Sequence, residues 1–231
     1  MVVRVAERAA QSGAVQVIVA TDDARIAEAC MRARITVAMT RSDHATGTDR
    51  MSEVVTQLGL PDESVVVNVQ GDEPLIPASV IDQVAALLLR RPSAAMATFC
   101  HPIHDVADAI NPNVVKCVLN YAGDAMYFSR APIPFARDAW TTVINAVPET
   151  LPMYRHIGLY AYRASFLRVF PTLTIPAVER FEALEQLRAL VHGYQIAVAI
   201  VDAALPPGID TPEDYARLRE RYSVSGESFF T

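Results

Sequence analysis

Two acidic residues far apart in the chain could hold a divalent cation: Asp72 in Gln70-Gly71-Asp72-Glu73-Pro74, and Asp210 in PPGIDTPED. Asp72 follows the β-branched run Val65 to Val69, which reads as a central strand of a covered parallel sheet ended by Gly71 and Pro74. In open α/β sheets ligands collect at the carboxyl ends of strands, where Asp72 would stand. Asp210 precedes Thr211-Pro212-Glu213-Asp214, a helix start with Thr211 as N-cap, so its carboxylate is not needed for capping. Mg²⁺ takes such oxygens and keeps waters and substrate phosphates as its other ligands, so two Asp suffice for a phosphate-transfer site. Each Asp also fits an ordinary acidic turn.

Three further stretches carry polar groups at useful spacing. In RSDHATGTDR, Arg41 and Arg50 offer donor forks for phosphate or carboxylate, and Thr46, Gly47 and Thr48 offer donors near a helix start; plain capping with solvated arginines is the alternative. In RHIGLYAYR, alternation puts His156, Gly158, Tyr160 and Tyr162 on one face and Ile157, Leu159 and Ala161 on the other. That face suits a hydroxylated sugar acid, though a half-exposed edge strand would read the same. In ERFEALEQLRALV, Phe181, Leu184, Leu187 and Val191 are expected in the core, leaving Glu182, Glu185 and Gln186 together on a face that solvent alone would also explain. Neither GxxxxGK[ST] nor GxGxxG occurs, which removes the main support for a Walker ATPase or a dinucleotide dehydrogenase.

The elements that must position these groups alternate. Helices are expected at Val2 to Ala10, Asp23 to Ala33, Ser52 to Leu58 and Ala78 to Leu89, and strands at Val15 to Ala20, Ile35 to Met39, Val65 to Val69 and Ala94 to Phe99. Such alternation implies parallel pairing. An antiparallel excursion follows at roughly 112–165, with strands at Val114 to Leu119, Ala125 to Ser129 and Ile157 to Tyr162 around the irregular Ala131 to Pro152. Helices Phe166 to Phe170 and Val178 to Val191, strand Ile196 to Val201 and a capped helix Pro212 to Tyr222 complete the chain.

With 231 residues, 52% hydrophobic and 20% charged, one domain can bury its own core. The net charge of -6 and the lack of a basic cluster argue against a nucleic-acid partner. No apolar run reaches the ~20 residues that span a bilayer, and the start has no signal-peptide pattern, so a cytoplasmic location is expected. Cys30, Cys100 and Cys117 read as reduced core cysteines.

Taken in order, VIVATDD, MTRSDHATGTDR, VVVNVQGDEPLIP, NPNVVKCVLNYAGDAMYFSRAPIPFARD, YRHIGLYAYR, FEALEQLR and PPGIDTPED resemble the 3-deoxy-manno-octulosonate cytidylyltransferase (CMP-Kdo synthetase) family over nearly the whole chain. The resemblance implies a nucleotide-diphospho-sugar transferase-like (Rossmann-like) α/β/α sandwich with a mixed, mainly parallel sheet, as a single domain over 1–231 whose excursion contributes to sugar binding and dimerisation. It implies a Mg²⁺-dependent homodimer of lipopolysaccharide biosynthesis that converts CTP and Kdo to CMP-Kdo and diphosphate. Carried over by position, Asp72 and Asp210 are the catalytic metal ligands. Arg41, Asp43, His44, Thr46, Gly47 and Thr48 belong to the CTP side; Gln70, Ser129, Arg130, His156, Tyr160, Glu182, Glu185 and Gln186 belong to the Kdo side. Family members open with a strand and a basic, glycine-containing loop of the kind PARxxSxRLPGKPL, and Met1 aligns after it, so an N-terminally truncated chain is expected. A non-catalytic remnant and a cytidylyltransferase for another acidic sugar, such as sialic acid, are the alternatives.

Overall fold

The computed structural model describes residues 1–141, 144–202, 205, 208–209, 211, 213–216 and 220. Helices and strands alternate through α1 (Val2–Ala9), β1 (Ile18–Thr21), α2 (Ala24–Arg32), β2 (Thr36–Met39), α3 (Gly47–Gln57), β3 (Val65–Asn68), α4 (Ala78–Leu89) and β4 (Ala94–Pro102). Then follow α5 (Val106–Ile110), β5 (Lys116–Leu119), β6 (Ala125–Ser129), β7 (Tyr154–Arg163), α6 (Ala164–Val169), a 3-10 turn (Phe170–Thr172), α7 (Ala177–Glu182), α8 (Gln186–Val191) and β8 (Gln195–Ile200). Side-chain oxygens start three of the described helices: Asp23 accepts from Arg25 N–H before α2, Thr46 from Asp49 N–H before α3, and Asp105 from Ala107 N–H before α5.

β1 and β2 pair in parallel as a two-stranded ribbon, separate from a six-stranded sheet ordered β6-β5-β7-β4-β8 with β3 also on β7. β7 is the hub. One of its edges runs antiparallel to β4, which pairs parallel with β8. The other edge is divided: Tyr154 and Arg155 pair with β5, and Tyr160 to Arg163 pair with β3, both antiparallel. Residues 156–159 lie between these two pairings, opposite a register shift at Thr98 and Phe99 of β4. Beyond β5, β6 curls back towards β8, where Val198 N–H donates to Gly123 O at 2.8 Å.

Two apolar layers enclose the sheet. Ile81, Val84 and Leu88 of α4 pack with Ala97, Leu159, Ala161 and Ala197 on one face. Val55 of α3, Phe166 and Leu167 of α6 and Leu187 of α8 pack with Met96, Tyr160, Tyr162 and Ile196 on the other. This is an α/β/α sandwich with a mixed sheet, and β7 shows the expected alternation of faces.

Several sequence expectations change. The sheet is less parallel than expected: among the described pairings only β1–β2 and β4–β8 are parallel. β3 is half-buried and antiparallel to β7, because a β-branched run reports burial but not the direction of its partner. β1 starts at Ile18, and Val15 is fully exposed. α3 starts at Gly47, five residues before Ser52, because Thr46 caps it. The helix expected over Val178 to Val191 is broken at Ala183, whose φ is 50°. The Arg130 guanidinium takes the carbonyls of Glu182 (2.6 Å) and Ala183 (3.3 Å), which a continuous helix would use internally. Phe181, expected in the core, is 91% exposed, while Leu184 and Leu187 are buried and Val191 is exposed.

Candidate functional site

The turn after β3, closed by Glu73 N–H on Gln70 O at 3.2 Å, carries half-buried Asp72 away from the strand's carboxyl end. Asn68 pairs with Tyr160, so the register brings this turn off the sheet beside residues 156–159 of β7, which lie between its two pairings. Ile209 N–H donates to the Asp72 carbonyl at 2.8 Å. Gly208 packs against the same residue: a Cβ there would lie in van der Waals contact, 3.4 Å from that carbonyl and 3.8 Å from Asp72 Cγ. The segment leading to Asp210 is thus tied to Asp72; Asp210 itself lies outside the described residues. Gln70 is exposed. Thr211 does cap the following turn as expected, accepting from Asp214 N–H at 3.1 Å.

No cluster of three or more His, Cys, Asp or Glu able to hold a metal occurs among the described residues. Asp72 still fits Mg²⁺, which needs one or two carboxylates and leaves its other positions to water and phosphate.

The loop between β2 and α3 has an outer and an inner side. Outside, Arg41 and Asp43 pair with each other at 3.1 Å and are largely exposed. Inside, the buried His44 ring pairs through Nε2 with Glu53 of α3, which also accepts from Arg41 N–H at 3.1 Å. These two bonds, His44 first, hold the Glu53 carboxyl below the usual carboxylate range. Arg50 bonds Thr40 Oγ1 (2.5 Å) and Asp22 (3.1 Å), joining the ends of β1 and β2. Gly47 packs over β3, where a Cβ would lie 3.9 Å from Asn68 Nδ2. Thr48 departs from its expected group: it is buried, donates to Glu185 Oε1 at 2.7 Å and lies 3.4 Å from the Tyr162 hydroxyl.

Along β7, rings run in sequence: Phe128 of β6 edge-on to His156 (5.0 Å), His156 to Tyr160 (5.1 Å), Tyr160 to Tyr162 (5.7 Å). Thr98 Oγ1 lies 2.8 Å from both the Ile157 and Leu159 carbonyls, so its proton is engaged there and it accepts from His156 Nε2–H at 3.2 Å. Burial lowers the His156 pKa to about 3 and keeps the ring neutral. Burial also raises the Glu185 carboxyl, against the pull of Thr48 and Thr46, and raises both tyrosines. The Tyr160 hydroxyl and Glu185 Oε2 are buried with no hydrogen-bond partner among the described residues. A ligand offering hydroxyls to this wall would relieve both.

The break at Ala183 separates the carboxylates that helical spacing had grouped. Glu182 accepts from Ser129 Oγ (2.6 Å) and Arg130 N–H (2.8 Å), Glu185 turns to Thr48, and Gln186 is buried at the start of α8. Beneath them Arg188 makes a buried two-point ion pair with Glu179 and lies over Phe170. Lys116 is buried, donates to Asn111 O and Val114 O, and has its pKa lowered by burial.

The cytidylyltransferase family model matches residues 1–196. The chain belongs to the cytidylyltransferase family. It shares 36% identity and a TM-score of 0.84 with a solved CMP:2-keto-3-deoxy-manno-octonic acid synthetase complexed with CTP, over 96% of this chain and 87% of that one. Two more distant structures show the fold alone. A cytidylyltransferase from Leptospira borgpetersenii serovar Hardjo-bovis matches at 13% identity and TM-score 0.58 over 96% of this chain and 75% of that one. The 4-diphosphocytidyl-2C-methyl-D-erythritol synthase from Anaerococcus prevotii matches at 11% and 0.55 over 96% and 86%.

In this cytidylyltransferase, sequence reading missed Glu53, Thr98 and the Glu179–Arg188 pair. Glu53 had a faint signal, a carboxylate one stripe along α3 from Arg50. Thr98 had none, because its partners are carbonyls brought beside it by β7. Among the described residues no helix is long and apolar enough to cross a membrane.

Proposed function

We propose that this cytidylyltransferase activates 3-deoxy-D-manno-octulosonate for lipopolysaccharide biosynthesis, converting CTP and Kdo to CMP-Kdo and diphosphate. The observation that carries this reading is the 36% identity to the CMP:2-keto-3-deoxy-manno-octonic acid synthetase, sustained over 96% of the chain. The β7 wall supports it: a Tyr hydroxyl and a carboxylate oxygen, both buried and both awaiting partners, suit a polyhydroxylated acid.

In this reading the anomeric hydroxyl oxygen of Kdo attacks the α-phosphorus of CTP. The new P–O bond forms as the bond to the β-phosphate bridge breaks, diphosphate departs and the hydroxyl proton passes to water. The protein's work is mainly alignment, since holding both reactants in register removes much of the entropic barrier. His156 and Tyr160 orient the sugar, with Glu185 and Gln186 of the following segment. Ser129 and Glu182 act by fixing Arg130. Gln70 stands at the turn between sugar and phosphate, Arg41, Asp43, His44, Thr46 and Gly47 frame the nucleotide, and Thr48 ties that loop to Glu185 on the sugar side. Asp72 would hold Mg²⁺, with Asp210 as its partner ligand. The ion, when bound, neutralises phosphate charge.

A cytoplasmic homodimer is part of the same reading; the individually exposed Phe181, Phe135 and Met126 are apolar side chains a partner subunit could cover. Product mass spectra test the sugar: with CTP and equal Kdo and sialic acid, CMP-Kdo is expected to dominate, whereas CMP-sialic acid would redirect the assignment to the other acidic sugar.

A further inference from the structure

α3 presents Arg50, Glu53 and Gln57 as one stripe at i, i+3 and i+7, and each reaches back to the segment that leaves β2. Gln57 Nε2 donates to the Met39 carbonyl at 3.0 Å and to Glu53 Oε1 at 2.9 Å. Glu53 stands at the centre. Its second oxygen meets two points of the loop three residues apart, the backbone N–H of Arg41 and the ring of His44. The His44 side chain is only 6% exposed and that of Glu53 22%, so the contact is shielded from water where it matters. The Arg41 and Asp43 side chains, by contrast, reach outward at 70% and 72% exposure and pair with each other, which fixes little in water.

We propose that Glu53 is the positioning residue of the nucleotide side: it touches no substrate, but by holding Arg41 N–H and His44 it sets the direction in which the loop presents its outer groups to CTP. The inference rests on the reading of residues 41–48 as the CTP side. A loop ordered before the ligand arrives spends less of its binding energy on ordering. The geometry makes this a one-acceptor device. A glutamine at 53 keeps one carbonyl oxygen that can accept from both Arg41 N–H and the His44 ring, whereas an alanine keeps neither contact.

The test combines CTP binding in the presence of Mg²⁺, by calorimetry, with amide exchange of residues 41–46 in the ligand-free protein. Glu53→Ala is expected to weaken CTP binding by roughly tenfold or more and to speed exchange of the loop by a similar factor, as loss of charge-assisted bonds implies. Glu53→Gln should restore most of both. The KM for Kdo should change less than about twofold, a split that general loosening of the fold would not give. Faster loop exchange with unchanged CTP affinity would overturn the proposal, and so would equal losses for both substrates with no rescue by Gln. A wild-type protein that binds no CTP would refute the nucleotide-side reading itself, and the role assigned to Glu53 with it.

Discussion

The Arg41 and Asp43 side chains, on the loop before α3, stand mostly in water and pair with each other, whereas Tyr160 and Tyr162 on β7 are 6% and 1% exposed and locked in a run of rings. In the proposed function the two regions face the same task of presenting polar groups to a ligand. On the loop, exposed ion pairs contribute little, so order must be imported from α3 through Glu53, Arg50 and Gln57. On the wall, packing supplies order, and the polar atoms left over are costly until a partner arrives. Thr48 joins the two regions: it opens α3 and donates to Glu185 on the wall side.

In the proposed reading Asp72 holds the ion that serves both substrates, so removing its charge should disable both regions at once. Asp72→Asn is expected to lower turnover on the order of a hundredfold or more without moving the unfolding midpoint; near-normal turnover would sink the metal assignment. The next largest effect concerns the support beneath the wall. Glu179→Gln leaves Arg188 buried without its charge partner and should cost about 3–5 kcal/mol in urea unfolding. A loss no larger than that of an exposed pair would show that the wall does not depend on it.

A pair of substitutions sharpens the division of labour. Glu185→Gln should raise the KM for Kdo roughly tenfold and that for CTP less than twofold, and Arg41→Ala should do the reverse. Matching changes in both constants for either variant would erase the distinction.

The smallest effect is on pH dependence. His156 stays neutral in the folded chain down to about 3, while its ordinary pKa is 6.5. The stability this gives is complete above 6.5 and is lost as pH falls from there towards 3, because the unfolded chain takes up the proton first. Melting curves should fall more steeply between about pH 6.5 and pH 5 for the wild type than for His156→Gln. Parallel curves would mean the ring is solvated.

Much of this arrangement was legible in the sequence where a local pattern and the tertiary environment agree. The alternation in RHIGLYAYR set both faces of β7 correctly, and Thr211-x-x-Asp214 gave its cap. What escaped depends on distant residues. The turn at Ala183 has neither Gly nor Pro to announce it and exists because Arg130, 53 residues away, takes the carbonyl there. The direction of β3 was hidden because Val65 to Val67 would be equally content beside a parallel or an antiparallel neighbour. The start of α3 was missed by following apolar residues instead of the Thr46 cap. The proposed catalytic roles rest on family resemblance, not on spacing, since turns and solvated faces explain the same residues locally.

The most direct test of the account is diphosphate release by the purified chain given CTP, Kdo and Mg²⁺, omitting each in turn. The account predicts release that requires all three and collapses in Asp72→Asn. Soluble, folded protein that releases no diphosphate with Kdo present, or releases it equally without Kdo, would contradict it.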